Sequence, residues 1–169
     1  IFDGKETPKV KIDGSWTTFV AKGMSVKTEG NWKIQKDGSL FLDPRPGEIM
    51  FGLNMVVNKG RTVFIADTTV HEYPSSTQLA EIAISSARVV RLFGFDPKIA
   101  FLSHSTFGQP ITSRTKHIRD AVNILKEKNV NFKFDGDMQP DVALNEEYKD
   151  LYPFSEIVGN ANVLIMPGQ

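Results

Sequence analysis

Two short polar segments hold most of the residues able to do chemistry, and each follows an apolar run. Asp67-Thr68-Thr69-Val70-His71 succeeds residues 62–66, and Ser103-His104-Ser105-Thr106-Phe107-Gly108 succeeds residues 98–102. In the second segment Ser105, Thr106 and Gly108 offer hydroxyls and a bare backbone to an anion. Arg114 adds a positive charge near the start of a predicted helix, where orphan N–H groups already favour phosphate. Serine and threonine at such places also simply cap turns, and spacing alone leaves both readings open. Other chemistries are harder to build. His71, His104 and His117 are the only histidines, and no His-x-x-x-His or cysteine pair accompanies them, so satisfied loop histidines are expected rather than a metal centre. Asp135, Asp137, Gln139 and Glu146 occupy the first, third, fifth and twelfth places of a calcium loop, but the sixth, which must turn sharply, is Pro140. Neither Ser103 nor Ser105 has the glycine two residues earlier that a nucleophile elbow needs, and no phosphate-loop or dinucleotide glycine pattern occurs.

These segments need elements to position them. Residues 62–66 read as a strand buried on both faces. Ser75 with Gln78 has capping-box spacing, and Leu79, Ile82, Ala83, Ser86, Val90 and Phe93 recur at steps of three and four, with Glu81, Ser85 and Arg88 off that face. Gly94 and Pro97 end this helix near Phe93, and residues 98–102 form a second strand. The two strands are expected to pair in parallel through a right-handed crossover, with both polar loops lining one cleft at the strands' carboxyl ends. Residues 48–57 should form a hairpin with the first strand through Asn58-Lys59-Gly60. Downstream, Thr112 or Ser113 caps a helix reaching about Lys128, residues 130–134 form a strand leaving through Asp135-Gly136-Asp137, Pro140 opens a short helix, and residues 162–166 make a last strand.

Residues 1–43 differ, with short alternating runs divided by glycine-containing turns. Trp16, Phe19, Trp32, Ile34 and Leu40 suit the small core of an antiparallel β-rich segment, to which no activity is assigned. Pro44-Arg45-Pro46-Gly47 reads as a hinge, giving segments 1–43 and 44–169. Twenty basic and twenty acidic residues cancel, so no general field for nucleic acid or an anionic membrane is expected. No run is long and apolar enough to span a bilayer, no signal peptide is evident, and cytoplasmic residence is the default expectation. The chain lacks cysteine, and its ends, Ile1 and Pro167-Gly168-Gln169, are expected to be cuts in a longer protein.

From Pro44 to Gln169 the words PGEIMFGLNMVVNKGRTVFIADTTVHEYP, QLAEIAISSARVVRLFGFDPK, IAFLSHSTFGQP, IRDAVNIL, FDGDMQPDVAL and LYPFSEIVGNANVLIMPG resemble the phosphate acetyltransferase family. The resemblance is strongest to the phosphotransacetylase-like domain at the carboxyl end of bacterial NADP-dependent malic enzymes. It implies a three-layer αβα fold of the isocitrate-dehydrogenase-like type with a mixed, mostly parallel sheet, of which residues 44–169 supply a partial domain. It also implies coenzyme A, acetyl-CoA or acetyl phosphate as ligand, held by Asp67, Thr68, Thr69, Ser103, Ser105, Thr106, Gly108 and Arg114. Thr68 stands where transacetylases often have a cysteine, and Phe107 where their SFSTKGS loop has lysine. In the malic-enzyme branch the domain resembles an acetyl-CoA sensor that assembles into homo-oligomers, while NADP and the divalent metal belong to a catalytic region outside these residues. A working acetyltransferase and a purely structural assembly domain are the alternatives. The family's serine, arginine and aspartate of catalysis lie beyond the strand at 162–166, so this chain is expected to bind without turnover.

Overall fold

Three short strands, β1 (Asp13–Thr17), β2 (Glu29–Ile34) and β3 (Leu40–Pro44), pair antiparallel in the order β1-β2-β3. They belong to the first of two compact units, Ile1–Glu48 and Ile49–Gln169. The computed structural model describes residues 13–17, 29–34, 40–44, 49–67 and 70–166, those of the first unit by backbone alone. The expected core of Trp16, Phe19, Trp32, Ile34 and Leu40 lies outside what is described.

The second unit begins with a hairpin, β4 (Leu53–Asn58) and β5 (Arg61–Ala66), paired from Leu53↔Ala66 to Asn58↔Arg61. Its two-residue turn places Lys59 and Gly60 at φ 47° and 80°, the left-handed pair that matches the twist of hairpin strands. The helix α1 (Ser76–Leu92) follows, then β6 (Lys98–Leu102), α2 (Ser113–Glu127), β7 (Lys133–Met138), α3 (Pro140–Leu144), a 3-10 turn over Glu146–Leu151, and β8 (Val163–Ile165). The strand order is β4-β5-β8-β6-β7, with β5, β8, β6 and β7 parallel and β4 antiparallel at one edge. This is an α/β fold on a mixed, mostly parallel sheet.

Both helix starts are written in the sequence. Gln78 N–H donates to Ser75 Oγ at 3.1 Å and Ser75 N–H donates back to Gln78 Oε1 at 2.7 Å. Thr112 and Thr115 exchange the same pair of bonds at the start of α2. Such a cap stabilises a helix by about 1 kcal/mol. The central strands are apolar on both faces. Phe64, Ala66, Ile99, Phe101, Val163 and Ile165 pack against Leu79, Ile82, Ala83 and Val90 of α1 and Ile118, Ala121, Val122 and Leu125 of α2. The alternate residues Ala100, Leu102 and Leu164 pack on the other face against Val142, Ala143, Ile157 and Val158. Ser85 is also buried in α1, beyond the expected stripe, because this helix packs on both the sheet and α2.

Three expectations are corrected. The strands β5 and β6 are parallel but do not pair with each other, because β8 lies between them, with Phe64 and Ile99 both opposite Val163. All three β8 residues are buried, which favours an interior place. Asn162 secures it, accepting Lys98 N–H at 2.7 Å and donating to Asp96 O at 2.8 Å through its side chain. Next, β4 starts at Leu53 rather than at residue 48. Gly52 N–H goes to the Asp67 carboxylate instead of a ladder, while Ile49 and Phe51 still pack on the core. Finally, β7 runs through Asp135-Gly136-Asp137 rather than ending before it. A Cβ at Gly136 would lie 2.7 Å from Phe101 Cβ, so the glycine serves a close approach between strands and not a turn.

Lys133 at the start of β7 pairs with Glu156 at 2.7 Å. The hydrogen bond and charge of Lys133 hold Glu156 below the ordinary glutamate range, and Glu156 raises Lys133 in return. The pair's contribution is therefore lost as pH falls through the lowered Glu156 pKa, and on the alkaline side as pH rises through the raised Lys133 pKa. Replacing Lys133→Gln should move the Glu156 carboxyl titration, followed by NMR, upward toward the ordinary range. In the core, Phe64→Ala removes a fully buried ring that packs 5.7 Å from Phe93 and 5.5 Å from Phe95. It should lower unfolding free energy by about 3–5 kcal/mol in urea denaturation followed by circular dichroism.

Candidate functional site

Parallel pairing sends the carboxyl ends of β5, β8, β6 and β7 to one edge of the sheet. The segments leaving β5 and β6 are two strand positions apart, on the order of 10 Å. Each is built on a buried carboxylate.

Asp67, directly after β5, is 4% exposed. Its Oδ1 accepts Gly52 N–H at 2.8 Å and Val70 N–H at 3.2 Å, and its Oδ2 accepts His71 N–H at 2.9 Å. The His71 ring closes on Oδ2 at 2.6 Å through Nδ1. Such a carboxylate shapes the chain around it and has little capacity left for a ligand. Thr68 and Thr69 lie outside the described residues.

The second carboxylate is Asp137, on β7 and wholly buried. Ser105, equally buried, donates its hydroxyl to Asp137 Oδ2. Ser103 Oγ stands 3.3 Å from Ser105 Oγ and accepts Ser105 N–H at 3.1 Å. Because Ser105 gives its proton to Asp137, Ser103 gives its own to Ser105. The backbone is pinned as well: Phe107 N–H donates to Asp137 O at 2.6 Å and Ser103 N–H to Met138 O at 2.9 Å. Gln139 adds its N–H to Thr106 Oγ1 at 3.3 Å and its side-chain amide to His104 O at 3.2 Å. Phe107 and Gly108, at φ 49° and 83°, turn the chain between Thr106 and Gln109, which bond each other at 3.2–3.3 Å. Loop 103–109 is thus fastened to the end of β7.

The structure brings Ser103, Ser105, Thr106 and Gly108 together and separates them by role. Ser105 and Gly108 are buried, whereas Ser103 and Thr106 are half-buried and reach the surface. Arg114 lies in the first turn of α2, and its side chain is outside the described residues. His117 is on α2 rather than in a loop. Its Nε2 donates to Pro74 O at 2.6 Å and its Nδ1 lies 2.9 Å from Ser76 Oγ, tying α2 to the start of α1. Among the described residues no cluster of three or more His, Asp or Glu is arranged to hold a metal ion.

Sequence reasoning did not show the contacts that Asp137, Phe107 and Arg119 make at this site. Asp137 was read as part of a turn and of a rejected calcium loop, and its burial depends on the pairing of β7 with β6. Phe107 meets Tyr152 at 5.2 Å and Phe154 at 4.8 Å between ring centroids, an aromatic cluster at the loop's surface formed across more than forty residues of chain. Arg119, of α2, lies over Gly108, where a Cβ would fall 2.6 Å from its Nη1. Tyr148, beside Asp141, is held protonated past the ordinary tyrosine range by that carboxylate's charge and hydrogen bond.

Residues 36–168 match the family model described as phosphate acetyl/butaryl transferase. The NADP-dependent malic enzyme of Rhizobium meliloti is 44% identical over 126 residues, which are 75% of this chain and 17% of the relative. The phosphate acetyltransferase of Bacillus subtilis is 38% identical over 114 residues, 66% of this chain and 35% of the relative. Among solved structures, the EutD phosphotransacetylase from Staphylococcus aureus matches with a TM-score of 0.67 at 28% identity, over 73% of this chain and 39% of that one. The chain therefore spans 17–18% of the length of its first malic-enzyme relatives.

If Asp67 organises its loop, Asp67→Ala should free the Gly52, Val70 and His71 amides. Their hydrogen exchange should quicken by more than that of the β6 amides, with a stability loss of about 3 kcal/mol. Equal acceleration everywhere would assign Asp67 a general stabilising role only.

Proposed function

Because the chain belongs to the phosphate acetyl/butaryl transferase family, we propose that it is part of an acetyl-CoA-responsive regulatory domain, of phosphotransacetylase-like fold, in an NADP-dependent malic enzyme. The observation that carries this reading is Phe107. In a loop that resembles the acyltransferase SFSTKGS segment, an aromatic side chain packed on Tyr152 and Phe154 stands where the resemblance expects a lysine. A cation there would meet a phosphoryl group; a ring clustered with two others does not. The loop suits a neutral thioester beside Ser103 and Thr106 better than an acyl phosphate. Ser105 is spent on Asp137, so its own hydroxyl is not free for chemistry. The 44% identity to a malic enzyme supports the same branch. Homo-oligomeric assembly and control of malate decarboxylation belong to this proposal as properties of the parent protein, as does cytoplasmic residence. Among the described residues no helix is long and apolar enough to cross a membrane.

Acetyl transfer between acetyl phosphate and coenzyme A is the second reading, favoured by the likeness to a solved phosphotransacetylase. The two differ in an assay. Titration calorimetry of the parent enzyme should give saturable heat with acetyl-CoA and a shifted rate of malate decarboxylation. Acetyl phosphate with coenzyme A should yield no acetyl-CoA above a heat-killed control. Turnover in that assay selects the second reading, and the absence of both heat and turnover removes both.

A further inference from the structure

We propose that the face between α2 and β7 carries a phosphate-binding site with Arg119 as its principal ligand, separate from the hydroxyls of loop 103–109. Arg119 is half-buried, its Nε is shielded from solvent, and that atom has no hydrogen-bond partner. Among the described residues no carboxylate or carbonyl pairs with this guanidinium. Shielding one guanidinium N–H from water without an acceptor is costly, and an acceptor supplied from outside would relieve that cost.

The surroundings specify that partner. A pocket of about 300 Å³ is lined by Lys116, Arg119, Asp120, Asn123 and Lys126 along α2 and by Gly136 on β7. Lys116 is 3.2 Å from Asp120, so the one acid is already matched and Arg119 and Lys126 leave the pocket positive. Gly136 contributes no side chain to the wall. Asn123 adds an amide able to donate. A planar guanidinium offering parallel N–H groups, with an ammonium and an amide nearby, fits the oxygens of a phosphate. The volume is at the small end of ligand pockets, which suits a phosphate or pyrophosphate group with the rest of any larger molecule left in solvent. The guanidinium also lies against Gly108, so an occupied pocket would fix Arg119 behind the loop. The site does not depend on the acetyl-CoA reading, because free phosphate and the phosphates of a nucleotide share the chemistry.

The test is an NMR titration of the purified chain at low ionic strength with inorganic phosphate and, separately, with adenosine 3′,5′-bisphosphate. Saturable shifts centred on the amides of Gly108, Arg119 and Gly136 are expected with at least one anion, and the tighter of the two identifies the source. Arg119→Gln should weaken binding about tenfold or more, since a charged hydrogen-bonding partner is lost. Arg119→Lys should weaken it less, and Lys59→Gln, in the β4–β5 turn, should leave it unchanged. Should Arg119→Gln fail to fold, by its circular dichroism, the lysine variant decides. Absence of saturable shifts with both anions would overturn the proposal. So would wild-type affinity in folded Arg119→Gln, or in Arg119→Lys where that variant decides.

Discussion

The arrangement depends on buried carboxylates placed at the carboxyl ends of parallel strands. A carboxylate removed from water must find donors, and the nearest donors at a strand's end are the amides and hydroxyls of loops. Asp67 gathers Gly52, Val70 and His71 around itself. Asp137 gathers Ser105 through Oδ2 and Phe107 through its carbonyl, while its buried Oδ1 finds no donor among the described residues. Hence Asp67 and Ser105, in the two segments that looked most chemical, are turned inward and committed to neighbouring groups. In loop 103–109, Ser103 and Thr106 keep half-buried hydroxyls beside an aromatic cluster.

This division of labour changes how the polar residues are read. A hydroxyl committed to a buried carboxylate is a structural strut, and a glycine under a guanidinium is a clearance for it. Phe107 then sets the character of the loop's outer side, and Arg119 that of its back. The first is apolar; the second is cationic. Both follow from the attachment of loop 103–109 to β7, since that attachment decides which side of each residue faces out.

Local features were legible in the sequence where the cause is local. Ser75 with Gln78 announced the start of α1, and Asn58-Lys59-Gly60 the hairpin, because capping and turn chemistry act over three or four residues. The α/β class and the family resemblance were legible for a different reason, the long words shared across residues 44–169. What was hidden is set by pairing between distant segments. Nothing near residue 164 says that β8 inserts between β5 and β6, and Asp135-Gly136-Asp137 has the composition of a turn. Only Phe101 across the ladder explains Gly136, and only Ser105 explains Asp137. The partial burial of Arg119 was equally invisible, since it depends on the approach of loop 103–109 to α2.

The inward commitment of Ser105 to Asp137 is the claim on which the rest stands, and a double-mutant cycle measures it directly. Unfolding free energies would be compared for the parent chain, Ser105→Ala, Asp137→Ala and the double variant. The account predicts that the two losses are not additive, with a coupling energy of about 1–3 kcal/mol, because each single change strands the other group. Additivity within about 0.5 kcal/mol would contradict it and return Ser105 to the set of hydroxyls free to meet a ligand.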